Sequence, residues 1–416
     1  MEKLKTLPVK GTEDIAPKRM SLLEGMLAKI KQVYSLNGFN QIQTPILENL
    51  ELLSKGDSGD NSKMMFKTVK RGAKLDLSKN DLQEQDIVEE GLRYDLTVPL
   101  SRFYANNYND LPKPFKAFQI GESFRAEKPQ KGRYREFTQC DIDMFGEESI
   151  LAEIEILSTI MQAYQNFGID NVEIKVNDRR ILNQLIQNAG FNKEVTPNIL
   201  ISIDKYDKIG LDGIKKELLD ECFDEKQIDF LLESIEDVSK NGIKECLKYN
   251  VDEKIINSLQ ILFKVLNNDM PKGYRVVFDV HIVRGQGYYT GTVFEAFCKT
   301  SSFSRAIGGG GRYDHMLDRF VNMPVYSVGY GLGLIPCLLI LEEKNININN
   351  QNPKIALVYN QNEDIEKLIA CKKELMKTYC VCLMPEPKNY QSFITKMQNI
   401  GYSGLYKYKE SKLIWF

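Results

Sequence analysis

The sequence predicts an α+β protein, and three observations carry that expectation. Two segments rich in β-formers, FKAFQIGESFRAE and EFTQCDIDMFG, flank a short basic loop from about residue 115. Residues 180–265 are rich in Lys, Asp and Leu, with repeated helical periodicity and few strand signals. Beyond a polar, Asn-rich stretch at 344–352 the pattern alternates strand and helix, as in a small α/β domain. No repeat of solenoid period interrupts this order.

The elements follow in chain order. Pro17 suits a first helical turn, Leu22 to Tyr34 recur at helical spacing, and Gly38 is a natural stop. Gln41 to Glu48, with Pro45 inside, reads as extended chain. Residues 67–92 are charged and read as a loop or short hairpin. Residues 150–167 return to helical spacing, with Ile150, Ile154, Leu157 and Met161. After the helical module, strand-like chain resumes in YRVVFDVHIV, TVFEAF, SRAIGGGG and YSVGYGLG. The tail predicts a strand at IALVY, a helix over about 362–378, a strand at VCLM and a helix over about 388–400. It closes with LYKYK and LIWF.

Composition narrows the class. At 416 residues with 43% apolar content, the chain exceeds one ordinary core and is not broadly disordered. No apolar run approaches the ~20 residues needed to span a bilayer, and the first residues lack a secretory h-region. Eight scattered cysteines without CxxC, and only two histidines, make a zinc site improbable and suit reduced, cytoplasmic thiols. His281 and His315 read as ordinary polar imidazoles. The formal net charge is −2, but cations cluster between Arg125 and Arg135. Residues 353–416 carry ten lysines against six acidic residues.

Four segments hold the residue types that chemistry needs. FRAEKPQKGRYREF places five cations within eleven residues at the lip of two strands. Arginine forks there match phosphate oxygens, although a solvated hairpin loop has the same composition. IVRGQGYYTG sets Arg284 beside glycines and two tyrosines, either a ligand site or a turn over core tyrosines. SRAIGGGGRYD predicts a strand without side chains on part of one face, where a flat substrate could lie, or a flexible loop; it is not a P-loop. RYDLTVPL puts Asp95 and Thr97 on one face of a strand, able to hold an ammonium group, unless Thr97-Val98-Pro99 opens a helix.

Taken in this order, the segments resemble histidyl-tRNA synthetases, which are class II aminoacyl-tRNA synthetases. Lys10-Gly11-Thr12-Glu13-Asp14 resembles the family's N-terminal start, and Gln43 to Glu48 resembles motif 1, the dimer-interface strand. RYDLTVPLSRFYA resembles the segment holding the substrate ammonium. FRAEKPQKGRYREFTQCDIDMFG resembles motif 2, while VRGQGYYTGTVFE and GGGGRYD resemble the two histidine-specific motifs. The likeness spans roughly residues 8 to 340.

The resemblance implies a class II antiparallel sheet with flanking helices, and ATP, Mg²⁺, histidine and tRNA as ligands. It divides the chain into a catalytic domain (1–178 and 266–343), a mostly helical insertion (179–265), a linker (344–352) and a shortened anticodon-binding-like domain (353–416). Arg125 and Arg284 would face each other across the α-phosphate as the catalytic cations. Glu127 and Arg133 would help hold the nucleotide. Asp95 and Thr97 would take the α-ammonium of histidine. Gln139, Asp143, Tyr288 and Tyr289 would surround the amino acid and its imidazole. Gln130 would face the tRNA acceptor end. A homodimer is implied by motif 1.

The chain also departs from the family. Motif 3 there ends approximately in Glu-Arg, the Arg holding the γ-phosphate; here Ile335 and Pro336 occupy those places. Losing one such contact should cost about 1.5–3 kcal/mol, one to two decades in binding. Gln286-Gly287 stands where many members have Leu-Asp. The tail ends sooner than the family's anticodon-binding domain usually does. Besides a histidine–tRNA ligase, these features allow a synthetase-like paralogue, or a regulatory subunit like that of ATP phosphoribosyltransferase. The presence of a tail, with Arg125, Arg284 and Gln130, favours the ligase.

Overall fold

The computed structural model describes residues 4, 6–55, 64–78, 81–130, 132–268, 270–284, 287–321, 323–348 and 352–416. Gln286 and residues 349–351 of the expected linker lie outside them. The chain divides into two compact units. One comprises Val9–Thr12 and Lys29–Asn345, the other Met1–Pro8, Glu13–Ala28 and Ile346–Phe416.

The division falls inside α1 (Pro17–Leu36). Proline at its first position has no N–H to leave unpaired there. Gly38, with φ of 79°, ends it, and the Phe39 amide turns back to donate to the Tyr34 carbonyl at 3.0 Å.

The larger unit begins its strands with β1 (Asn40–Gln41) and β2 (Leu47–Asn49), followed by α2 (Leu50–Lys55). β3 (Lys67–Val69), the single-turn α3 (Glu84–Ile87) and β4 (Val88–Leu92) come next. The region expected to be loop or hairpin therefore joins motif 1 in a small antiparallel sheet of order β2-β4-β3. α4 (Thr97–Asn107) leads into β5 (Phe115–Phe124) and β6 (Glu136–Phe145), paired in unbroken antiparallel register. α5 (Leu151–Phe167) is closed by Gly168 in the left-handed region, and β7 (Val172–Asp178) follows.

Five helices fill the expected insertion: α6 (Arg179–Asn188), α7 (Thr196–Ile203), α8 (Tyr206–Asp220), α9 (Glu225–Asn241) and α10 (Glu253–Asn268). No strand lies between them among the described residues. The chain returns through β8 (Arg275–Phe278), β9 (Thr292–Cys298), β10 (Gly308–Arg312), β11 (Ser327–Gly333) and α11 (Leu334–Glu343). Among the described residues eight strands make one sheet, ordered β1-β5-β6-β11-β10-β9-β7-β8. Only its outer pairs, β1/β5 and β7/β8, are parallel. The fold is thus α+β.

YRVVFDVHIV was expected to be one strand, but β8 stops at Phe278. The Asp279 side chain accepts the His281 amide and forms a turn, and Asn177 Nδ2 donates to the carbonyls of Val280 (2.9 Å) and Ile282 (3.0 Å). A buried amide side chain replaces the sheet partner here. That frees the chain to deliver Arg284 to the central strands.

The smaller unit carries the tail. β12 (Lys354–Tyr359), α12 (Ile365–Leu375), β13 (Cys380–Pro385), α13 (Tyr390–Asn399), β14 (Gly404–Lys407) and β15 (Lys412–Trp415) alternate as the sequence predicts. The sheet order is β13-β12-β14-β15, and only β14/β15 is antiparallel. Asp364 and Asn389 cap the two helices through side-chain oxygens. Ala356, Val358, Met397 and Leu405 form the core.

Candidate active site

Gln139, Asp141 and Asp143 alternate along β6, so their side chains stand on one face. The neighbouring strand β11 presents Gly333, Gly331 and Gly329 directly opposite them. β10 continues the bare face with Gly309, opposite Gly331, and Gly311, opposite Gly329. Side chains occupy the space these glycines leave. A Cβ on Gly329 would overlap Asp143 Oδ1, and one on Gly331 would come within 3.0 Å of Asp141 Oδ1. One on Gly309 would lie 2.5 Å from Arg284 Nη1, and one on Gly311 would lie 2.8 Å from the Tyr289 ring. The four-glycine run is therefore strand, not flexible loop. It walls a cavity of about 260 Å³.

The cavity brings together Asp95, Thr97, Arg125, Glu127, Arg133, Gln139, Arg284, Tyr288 and Tyr289. Arg125 follows β5, donates through Nε to the Tyr94 carbonyl at 2.9 Å, and stacks 5.0 Å from the Phe137 ring centre. That use of Nε turns the guanidinium's terminal donors to the cavity. The following loop folds as a tight turn, with Gln130 and Arg133 exchanging backbone hydrogen bonds. Glu127 and Arg133 form an ion pair across it. Gly132, at φ of 75°, lies so close to Phe303 that a Cβ would come within 2.8 Å of the ring. Gly11 supports the loop from beneath: its carbonyl accepts from the Arg135 amide at 2.7 Å.

Asp95 and Thr97 do not sit side by side on a strand as expected. β4 ends at Leu92, and Thr97 is the first residue of α4. Asp95 Oδ1 accepts the Val98 amide at 3.1 Å, and Pro99 fits the first turn. The helix-opening alternative is the observed one, and both residues still reach the cavity.

Arg284 has a left-handed backbone, φ 63°. Its Nη1 donates to Glu295 Oε1 at 2.6 Å, and its buried Nε has no partner among the described residues. Tyr288 and Tyr289 pack ring to ring, 4.8 Å between centres. Burial pushes both hydroxyls upward in pKa, so both remain neutral donors.

One residue expected around the amino acid lies elsewhere. Asp143 is buried behind Gly329, where the Tyr313 hydroxyl donates to its Oδ1; it does not line the cavity. Burial raises its pKa to about 7, against the lowering effect of that hydrogen bond. Gln130 lies on the outer side of the loop, its Oε1 accepting from Arg305 Nη2 at 2.6 Å. Asp141 was missed. It is 3% exposed and lines the cavity, and burial drives its pKa well up, reinforced by Asp143 and Asp95. The period-two spacing with Gln139 and Asp143 was its signal.

Ile335 and Pro336 form part of an apolar wall with Leu332, Leu334 and Ala306. Pro336 falls in the first turn of α11, which it does not break. Arg312, in the glycine motif, is not at the cavity. It makes a two-pronged pair with Glu153 of α5, both bonds 2.7 Å. Among the described residues no trio of His, Cys, Asp or Glu forms a metal cage.

The family model for histidyl-tRNA synthetase matches residues 11–336. A histidine–tRNA ligase of Leifsonia xyli subsp. xyli is 38% identical over 380 residues, covering 88% of this chain and 87% of the relative. A histidine–tRNA ligase of Azobacteroides pseudotrichonymphae is 35% identical over 374 residues, covering 86% and 80% respectively. Among solved structures, histidyl-tRNA synthetase from Nostoc sp. PCC 7120 superposes with a TM-score of 0.76 at 23% identity, covering 100% of this chain and 97% of that one. A Bacillus halodurans C protein described as an ATP phosphoribosyltransferase regulatory subunit/histidyl-tRNA synthetase gives 0.74 at 18%, covering 95% and 97%. These two structural likenesses speak to fold alone.

Proposed function

The chain belongs to the histidyl-tRNA synthetase family, and from that premise we propose that this cavity is where histidine is activated with ATP before transfer to tRNA. The activity is that of a histidine–tRNA ligase, a class II aminoacyl-tRNA ligase.

The observation that carries the site assignment is the convergence of Arg125 and Arg284 from distant segments on one cavity that also holds Asp95 and Thr97. The histidine carboxylate attacks the α-phosphorus of ATP, the bond to pyrophosphate breaks, and histidyl-adenylate results. A terminal ribose hydroxyl of tRNA then attacks the acyl carbon, and AMP leaves. Both steps develop negative charge on phosphate or carbonyl oxygens, which two preplaced guanidiniums stabilise. Neither requires a covalent protein intermediate; positioning supplies much of the remainder.

Within this reading Asp95 and Thr97 hold the ammonium, and Gln139, Tyr288 and Tyr289 enclose the amino acid. Asp143 acts from behind, through Tyr313 and the sheet. Glu127 and Arg133 hold the nucleotide at the loop. Mg²⁺ suits a site of this kind because it keeps phosphate oxygens and waters as most of its ligands. Glu127 is the carboxylate that would share it, and the ion would neutralise phosphate charge. Gln130, released from Arg305, would meet the tRNA acceptor end.

Residues 353–416 would act as an anticodon-binding domain, supported by their α/β order and lysine excess. A homodimer through the β2-β4-β3 sheet is supported by exposed Ile46, Leu47 and Val69. A cytoplasmic location agrees with eight unpaired cysteines. No described helix is long and apolar enough to cross a membrane.

The test is histidine-dependent ATP–pyrophosphate exchange, followed by charging of histidine tRNA. Exchange with histidine alone among the amino acids supports the reading; exchange with no amino acid overturns it.

A further inference from the structure

Asp141 is a buried carboxylate for which the described residues show no ion pair. Its side chain is 3% exposed, its Oδ1 has no hydrogen-bond partner among the described residues, and it borders the cavity. The one bond recorded to its other oxygen is long, 3.4 Å from Gln139 Nε2. Gly331 stands opposite in register, so nothing but backbone faces Oδ1 across the strand pair. An isolated buried carboxylate is expensive unless something cationic meets it.

Its neighbours indicate which part of a ligand that is. Asp141 senses the negative charges of Asp143 and Asp95 and the positive charges of Arg125 and Arg93. It thus shares the cavity with, and lies within electrostatic reach of, both the acid expected to hold the ammonium and the cation expected to hold the α-phosphate. In an amino acid the ammonium is one carbon from the carboxylate that must reach that phosphate. Asp143 lies two residues along β6, roughly 7 Å away, and does not line the cavity.

Resting on the ligase reading, we propose that Asp141 is a second ammonium-binding carboxylate, acting with Asp95 to hold the α-amino group of histidine. The single unpartnered oxygen accepts one ammonium N–H, and Gln139 keeps the carboxylate turned toward the cavity. Gly331 leaves that oxygen its room, since a methyl group there would press against it at 3.0 Å.

The test uses the full chain, wild type and Asp141→Asn, with two probes measured by calorimetry. Histidinol keeps the ammonium and imidazole but lacks the carboxylate. Imidazolepropionic acid keeps the imidazole and carboxylate but lacks the ammonium. Asp141→Asn should weaken histidinol about 10- to 100-fold and leave imidazolepropionic acid within about twofold. KM for histidine should rise in pyrophosphate exchange while KM for ATP stays within about twofold. Gly331→Ala is the second variant, with a smaller loss of the same selectivity expected. Equal losses for both probes, or unchanged histidinol binding in both variants, would overturn the assignment. Wild-type protein that neither binds histidinol nor shows exchange would overturn the ligase reading, and this proposal with it. Wild-type exchange with an unselective variant would overturn this proposal alone.

Discussion

Arg284 Nη1 donates to Glu295 Oε1 at 2.6 Å across the bare backbone of Gly309. The pair aims a cation from a left-handed backbone position that most side chains avoid. Glycine adopts that backbone freely, so Arg284→Gly should keep the thermal midpoint within about 4 °C. The same change should lower exchange by about 10²- to 10³-fold, as for loss of a preplaced transition-state donor. Thermal melts beside exchange kinetics separate the two effects.

The Gly329 position has no room for a side chain. Gly329→Ala would drive a methyl group into Asp143 Oδ1 and should destabilise by at least about 1–3 kcal/mol. Adding Asp143→Ala should recover part of that loss, because the two sites share one clash. Denaturant midpoints of the four proteins in this cycle test it; additive effects would contradict the packing.

Pro336 occupies a first-turn position that arginine also tolerates. Pro336→Arg should restore a cation at the apolar wall and lower KM for ATP about 10- to 100-fold, with KM for histidine little changed. An unchanged KM for ATP would mean that the wall lies away from the triphosphate.

Asp143 has a folded pKa of about 7, above the unfolded carboxylate value, because of burial. The folded state therefore holds a proton that the unfolded state releases at lower pH. This contribution to stability is present at pH below the unfolded value and is lost as pH rises toward 7. Wild type should lose up to about 1.4 kcal/mol per pH unit relative to Asp143→Asn between pH 5 and 7. Denaturant titrations of both proteins across that range measure the slope.

Glu153 and Arg312 are both nearly fully buried and joined by two bonds. Glu153→Ala leaves a buried guanidinium uncompensated and should destabilise by about 3–5 kcal/mol. Because the pair ties β10 to α5 and does not line the cavity, the residual folded fraction should keep its KM for ATP.

The elements with strong local periodicity were legible in the sequence: α1 with its Gly38 stop, the β5/β6 hairpin, the helical run α6–α10 and the alternation of the tail. What escaped was decided by tertiary partners. β8 is cut short because Asn177, a hundred residues upstream, takes the carbonyls that a sheet would have used. The 67–92 region pairs because β4 finds β2 as well as β3. In the site, Arg125, Arg284 and the tyrosines were legible only through the family resemblance, since composition alone suits a charged hairpin loop and a turn over core tyrosines equally well. Asp141 had only its period-two spacing as a signal, because a carboxylate's burial depends on the strand opposite. Asp143 was placed around the amino acid by motif alone, whereas its bond from Tyr313 holds it outside the cavity.

The five glycines on one face of β10 and β11 also make the substrate part of the protein's thermodynamics. Each glycine raises the conformational entropy of the unfolded chain, worth roughly 0.5–1 kcal/mol against alanine in a regular element. Together they withdraw roughly 2.5–5 kcal/mol from the ligand-free fold. Other residues could not recover that difference here, because side chains at four of these positions would run into Asp143, Asp141, Arg284 and Tyr289. Saturating histidine and ATP restore some of the difference by binding the folded state alone. The enzyme is consequently most resistant to unfolding when its substrates are plentiful, and starvation for either one lowers the barrier to its own turnover in the cell.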